Sequence, residues 1–322
     1  MEQGRGAVAR PPSGPGRRPR CLLPALRAPG GGPGVRAQRG FHPVLHGALL
    51  ALLAVYSIFP IYMVTIESLK SVDEDVFGSP FYVRHPSFEW YENLFERQEW
   101  VTHAALTTHT VPFLVWTKNT VIVFTAALAV ILTTSLAAGY ALGRLRLPGW
   151  RLWRRALFAA FLIPQTLLFL PLYSLVFRLH LDDRLGALVL TYPMLAIPFC
   201  VWLFSAYFQK LSPDIEESAY IEGADRFTAF LRIVLPMSWP VLVAAGLFAL
   251  GVLSSDFILA GVFLPNQWHQ TIAAGMSTMD ISLEDLTVVS GVSMGGLPVL
   301  AIAALLAASY VRGLTAAMIE GA

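Results

Sequence analysis

Charge is what this chain has least of. Of its 322 residues only 14% are charged, against 55% hydrophobic, and the mean hydropathy is +0.59. A soluble domain of this size carries about a quarter charged residues, so the class is polytopic membrane protein. Cysteine is scarce as well: Cys21 lies in a tail and Cys200 in an apolar run, which leaves no disulfide framework and no Cys-based metal site. Lysine appears three times against twenty arginines, a hint about a GC-rich source and not about function. No Gly-x-x-x-x-Gly-Lys-Ser/Thr occurs, so ATP is not bound here through a P-loop, and no His-Glu-x-x-His or other metal spacing is present. No site in this chain is read as catalytic, and neither a metal nor a cofactor is expected on it. Before residue 43 proline and glycine interrupt every apolar stretch, which argues against a signal peptide.

What is present begins with residues 1–40, rich in Gly, Pro and Arg, with eight arginines and Glu2 as the single acid. They read as a disordered basic tail over 1–43, a solvated anchor near anionic lipid rather than a nucleic-acid binder. A bilayer-spanning helix needs about 20 mostly apolar residues. Six segments qualify, near 44–66, 119–142, 156–178, 186–208, 238–264 and 290–312. With the N-terminus in the cytoplasm, the tail, the 143–155 loop, the 209–235 loop and the C-terminus hold 17 of the 23 Lys and Arg. The 143–155 loop carries Arg144, Arg146, Arg151, Arg154 and Arg155 and no acid. The positive-inside bias therefore places both termini and both loops in the cytoplasm, and a segment of about 67–117 outside.

Residues 213–240 are the most polar part of the apolar two-thirds. Ser212 suits an N-cap, Pro213 the first helical position, and Asp214 and Glu216 the positive end of the helix dipole. Gly223 reads as a stop, Asp225 as the cap of a second short helix from Arg226 to about Val234, and Pro236 as its end. Tyr220, Ile221 and Ala224 follow Glu217 by three, four and seven residues and share one helical face with it.

This stretch resembles a cytoplasmic loop of the inner-membrane permeases of binding-protein-dependent ABC importers. That loop has the form Glu-Ala-Ala, two residues, Asp-Gly-Ala, nine residues after the glycine, then Ile-x-Leu-Pro. Glu217-Ser218-Ala219, Glu222-Gly223-Ala224 and Ile233-Val234-Leu235-Pro236 fall at those spacings, with Ser218 in place of alanine and Glu222 in place of aspartate. Ser68-Leu69-Lys70, Lys118-Asn119-Thr120, Tyr140-Ala141-Leu142-Gly143-Arg144 and Val311 to Ala317 resemble other family stretches, so the likeness covers roughly 45–317. Ser254-Ser255-Asp256-Phe257 keeps the acid and phenylalanine of the family's Trp-Asn-Glu/Asp-Phe but lacks the Trp-Asn pair, and the usual basic C-terminal ending is replaced by Ile319-Glu320-Gly321.

The resemblance, closest to the carbohydrate, maltose-type second permease, implies an all-α membrane protein of six transmembrane helices with the type I importer architecture. The permease domain would cover 44–317, with a C-terminal tail at 318–322. It implies a homologous second permease, two ATPase subunits holding ATP and Mg, an extracytoplasmic solute-binding protein and a lipid setting in a bacterial or archaeal inner membrane, with no nucleic-acid partner. The ATPase would meet Glu217, Ser218, Ala219, Tyr220, Glu222, Gly223, Ala224, Asp225, Ile233, Leu235 and Pro236. Asp256, Ser255 and Phe257 are the candidate substrate-pathway residues.

Several features admit two readings. Asp256, the one acid well inside an expected span, must face protein or water, either lining a pathway or bonding another helix. Pro164, Pro171, Pro193 and Pro198 mark either bending segments or static kinks. The aromatic run Phe88 to Asn93 predicts a short helix outside the membrane, in a segment that is longer than the family's usual one between Asn93 and Asn119. Trp150 and Trp153 beside arginines read as interfacial anchors. Gly291-Val292-Ser293-Met294-Gly295 fits a Gly-x-Ser-x-Gly elbow, which makes an intramembrane serine protease a rival. The elbow needs a strand-to-helix turn, and the stretch reads better as small-xxx-small helix packing. A six-helix secondary transporter or channel is the other rival, and it would need more intramembrane ionisable groups than Asp256 supplies.

Overall fold

The structure is a computed structural model of the chain and describes residues 43–95, 99–101, 108–110, 112–145, 147–279 and 286–320. The expected basic tail falls outside them except for Pro43, as do Arg146 and the last two residues. Two compact units are present, residues 1–55 and 56–322. The elements follow in order. First come α1 (Pro43–Glu67), α2 (Val72–Phe77) and α3 (Glu89–Phe95). A small antiparallel hairpin of β1 (Glu99–Val101) and β2 (Thr108–Thr110) follows, with Trp100 opposite His109. Next are α4 (Phe113–Gly143), α5 (Trp150–Phe161), α6 (Gln165–Arg178) and α7 (Leu185–Lys210). After them come α8 (Asp214–Ile221), α9 (Arg226–Ala229), a π-turn (Phe230–Val234) and α10 (Leu235–Met237). The chain closes with α11 (Trp239–Ser255), α12 (Ile258–Phe263), α13 (Ile272–Ser277) and α14 (Thr287–Glu320). Helices carry the fold as expected. The hairpin is the exception, and it lies between Asn93 and Asn119.

Packing centres on α4 against α7. The buried row of α4 is Asn119, Val123, Ala127, Ile131, Ser135, Gly139 and Gly143, one residue every four. That is the ridge a helix offers for packing into a neighbour's groove. In a bilayer, lipid tails are as apolar as leucine, so helices associate through close contact and hydrogen bonds rather than through burial from water. The row ends in small residues for that reason. A Cβ at 139 would lie 2.3 Å from Phe204 Cβ, and one at 143 would lie 2.6 Å from the Ser205 carbonyl oxygen. Phe204 and Phe208 on α7 are fully buried there.

Four helices are long and apolar enough to cross a membrane, and up to six if each of two bent pairs counts as one span. The expected six transmembrane helices are matched only if each bent pair is one span. The expected span 156–178 is α5 and α6, bent by 97°. Pro164 sits at the break and disfavours helical geometry at Ile163, whereas Pro171, Pro193 and Pro198 are carried inside helices without a break. The expected span 238–264 is likewise interrupted: α11 stops at Ser255, Asp256 is extended, and α12 starts afresh at Ile258. Pro236 does not end the second short helix either. The helical path continues from Arg226 to Met237 and then bends by 70° into α11. The π-turn shifts the bonding by one residue, with Leu235 N donating to Phe230 O, which accommodates a proline lacking its own N–H.

α7 has 26 residues, about 39 Å at about 1.5 Å per residue, and separates two ends of the bundle. At its start, Asp183 N donates to Phe263 O, Asn266 N donates to an Asp183 carboxylate oxygen, and the other oxygen lies 2.9 Å from His269 Nδ1. The expected outer segment is tied to the start of α14. Lys70, 3% exposed at its side chain, pairs with Glu67 at 2.9 Å and Asp75 at 3.7 Å. Trp90 Nε1 donates to Lys70 O, and Ser290 Oγ donates to Trp90 O. α3 realises the short helix expected from the aromatic run, and Trp90 and Leu94 are its buried side chains. Near the start of α4, Trp116 Nε1 donates to Gln267 O at 2.6 Å, while Asn119 Nδ2 donates to the Trp268 and Gln270 carbonyls. Asn119, read from sequence as part of a helix opening, is thus the clamp for the 267–270 loop.

Candidate functional site

At the other end of α7 the arginine-rich 143–155 loop and the 209–235 loop meet. Two residues link Lys210 to Pro213, and Ser212 Oγ accepts from Asp214 N at 3.4 Å. α8 begins at Asp214, so Pro213 takes the capping position rather than the first helical one. Asp214, Glu216 and Glu217 fill its first turn, where the helix dipole favours acids. Gly223 follows at φ 89° with open space where a side chain would be. Only glycine holds such a φ without strain. Asp225 then caps α9 by accepting from Thr228 N at 3.3 Å. The Thr228 hydroxyl first, and its backbone N–H after it, hold the Asp225 carboxyl below its ordinary value of 3.8, so the cap is complete at any pH above that value and is lost only as pH falls through the lowered one.

Neighbouring residues on an α-helix point about 100° apart, so the pair Glu216-Glu217 divides between two faces. Glu216 is buried and Glu217 is exposed. Ala219 turns inward beside Glu216, although the sequence placed it among the outward candidates. Ser218, Tyr220, Glu222 and Ile221 are exposed, Ile221 at 86%. Ala224 is half-buried. Ile233 and Leu235, also half-buried, lie on the return segment with exposed Pro236, apart from the outward face of α8.

The residues missed by sequence reasoning are those that hold α8 in place. Arg144, counted only as a topogenic charge, donates through Nε to Glu216 Oε1 at 3.0 Å. Its other nitrogens donate to Leu211 O at 3.0 Å and Ser212 O at 3.2 Å. The hydroxyls of Tyr140 and Tyr220 reach Glu216 Oε2 at 3.4 and 3.3 Å. Burial and the Glu216 carboxylate push the Tyr220 hydroxyl above its ordinary 10.0, keeping it a donor. Beside this network opens a cleft of about 430 Å³ bordered by Arg144, Glu216, Glu217, Tyr220 and Arg226. The one signal in the sequence was the doubled acid on an eight-residue helix, since both cannot face out.

The pathway candidates separate. Asp256 Oδ2 accepts from Tyr192 OH at 3.0 Å, and its two oxygens accept from Leu259 N and Ala260 N at 3.2 Å. It bonds one helix and caps another. Ser255 and Phe257, on either side of it, border an apolar cavity of about 550 Å³ together with Thr120, Phe124, Ser254 and Ser277; Asp256 does not. Among the described residues that border it, none is ionisable. Ser293 lies inside α14, accepts from Tyr91 OH at 3.4 Å, and sits between Gly291 and Gly295. A Cβ at 291 would meet Met276 Sδ at 2.3 Å and one at 295 would meet Ile272 Cγ2 at 2.8 Å. The Gly-x-Ser-x-Gly motif is therefore a helix-packing surface and not a strand-to-helix elbow.

Comparison with known proteins agrees with this geometry. The chain is 31% identical over 242 residues to the diacetylchitobiose uptake system permease NgcG of Streptomyces coelicolor, covering 75% of each protein. It is 25% identical over 275 residues to the trehalose/maltose transport system permease MalG of Thermococcus litoralis, covering 84% of this chain and 94% of that one. A crystal structure of a bacterial ABC transporter for import of the acidic polysaccharide alginate contains a chain of the same fold. That chain has a TM-score of 0.63 and 18% identity, with 82% of this chain and 94% of that chain covered. Residues 97–311 match the family described as binding-protein-dependent transport system inner membrane component. The chain belongs to that family, the membrane-embedded permeases of ABC transporters.

Proposed function

We propose that this chain forms half of the translocation pathway of an ATP-driven importer of sugars or related polyols, and that α8 with its Gly223 turn is the knob that docks on a cytoplasmic ATPase. The carrying observation is a short helix that exposes Glu217, Tyr220 and Ile221 while Glu216 braces its other face against Arg144. In this reading the polypeptide crosses the bacterial or archaeal cytoplasmic membrane six times, the two bent pairs each counting once. Both termini lie in the cytoplasm, beyond a permease domain of 44–317. The other half of the pathway is a homologous permease, and ATP and Mg are held by two ATPase copies. A solute-binding protein delivers substrate on the side of the 67–117 segment. This chain is a transport subunit and carries no chemical step of its own. ATPase closure draws the coupling helices together and re-aims the spans.

Neutral substrate is favoured by the cavity beside Ser255 and Phe257, which is bordered by hydroxyl-bearing residues and two aromatic rings and, among the described residues, by no ionisable side chain. The uptake systems named for diacetylchitobiose and for trehalose and maltose point the same way. The test is Gly223→Asp in the assembled complex. A side chain at φ 89° costs about 1 kcal/mol or more and re-aims α8. Loss of ATPase co-purification, or of ATP hydrolysis stimulated by loaded binding protein, is the expected result, with the spans still inserted. Wild-type values for both would remove this loop from the coupling role.

A further inference from the structure

The attachment of α8 to the bundle is almost wholly polar. Of its eight residues only Glu216 and Ala219 are buried. It hangs between two joints, the 211–213 link and the positive-φ turn at Gly223. The methyl of Ala219 and the half-buried Ile215 carry no directional contact that would fix a helix so suspended. Arg144 can fix it, because its planar guanidinium presents several donors at set angles. It grips the carboxylate of α8 and, with its remaining donors, the two carbonyls of the link. The side chains of Arg144 and Glu216 are 15% and 7% exposed, so solvent screening of the pair is slight. Arg144 directly follows the last turn of α4, and that turn is pressed against α7 where Gly143 meets the Ser205 carbonyl.

We infer that Arg144 and Glu216 form a strut that makes α8 and α4 a single moving body, so that displacement of α8 is passed to the α4–α7 pair rather than absorbed in the 211–213 link. Both are positioning residues; neither is assigned a contact with substrate or nucleotide. The inference rests on the coupling role proposed for α8, but the strut's geometry can be tested apart from that role. Tyr140 and Tyr220 add one hydroxyl each to the Glu216 carboxylate from the two elements being joined, which is the arrangement a rigid joint requires.

The experiment measures the distance between spin labels at Ala137→Cys on α4 and Asp214→Cys on α8, both exposed and both outside the face assigned to the ATPase, with Cys21 and Cys200 replaced by alanine. The sample is the full complex with its second permease and ATPase pair, first without nucleotide and then trapped with ATP and vanadate. With the native pair, one narrow distance is expected, unchanged between the two states. E216A should lose that narrow distribution, and E216Q, whose amide oxygen can still accept from Arg144 Nε while the Leu211 and Ser212 bonds stay in place, should keep it, which a general loss of stability would not do. Should E216A fail to assemble, R144K serves: a point charge cannot hold the carboxylate and both carbonyls at once, and the distribution should broaden. A narrow distribution in E216A or R144K, or a native distance that changes on trapping, overturns the strut. A narrow, constant distance in a complex whose ATPase makes no contact with α8 would leave the strut standing and sink the coupling role instead.

Discussion

Asp256 shows how a single intramembrane carboxylate is made tolerable. A charge at that depth is costly unless it is bonded, and here three donors converge on it: Tyr192 OH and the first free N–H groups of α12. Those bonds also explain the break after Ser255, since a side chain that bonds the backbone ahead of it competes with continuation of the helix. These are the bonds that the structural reading of Asp256 requires, and the residues that border the cavity are its neighbours Ser255 and Phe257. Asp256→Ala leaves the Tyr192 hydroxyl and two N–H groups without their acceptor, each costing about 1–3 kcal/mol where no water reaches. The expected outcome is a clear drop in thermal stability and yield of the complex. Tyr192→Phe, which removes one bond and no cap, should cost about 1 kcal/mol. Normal yield with selectively weakened substrate affinity in Asp256→Ala would restore the pathway role.

Among the elements, α4 and α7 set the scaffold, and small residues set their distance. Gly139 is the tightest point, with Phe204 Cβ occupying the space a side chain would need. Gly139→Leu must push the helices apart at the end where Arg144 departs, and overpacking of this kind costs about 1–3 kcal/mol or more. Lower yield and a lower melting temperature are expected. Gly296→Leu on α14, with nothing nearby to meet a side chain, serves as the control. Equal behaviour of the two variants would contradict the seam. Much at this scale was legible: the long apolar runs marked the helices, and Gly223, Asp225 and the acids of α8 marked the turn and caps. Pro164 was one of four prolines marking a bending segment or a static kink, and nothing in the apolar run told it from Pro171, Pro193 and Pro198, which the helices carry unbroken. The break at Asp256 was not legible, because an apolar run reads the same whether the helix within it is straight or broken. The role of Gly139 was hidden as well, since close approach depends on which residue of another helix stands opposite.

For the whole molecule, the contacts gather at two ends. The loops at 143–155 and 209–235 converge through Arg144, Leu211, Ser212 and Glu216, while the segment after α1 gathers on the start of α14. That the two loops share an end is consistent with the expectation drawn from Lys and Arg counts, which grouped 17 of the 23 on one side. The inner partners of α8 were not readable, since a salt bridge across 72 positions leaves no local pattern. The central claim is that the outward face of α8 meets an ATPase subunit. A photo-crosslinking residue in place of Ile221, 86% exposed in the single chain, tests it in the assembled complex, with the same residue in place of Phe88 as the outer control. Crosslinking of Ile221 to the ATPase subunit and none from Phe88 is the predicted result; capture of the ATPase from Phe88, or its absence from Ile221 in complexes that still contain it, would contradict the account.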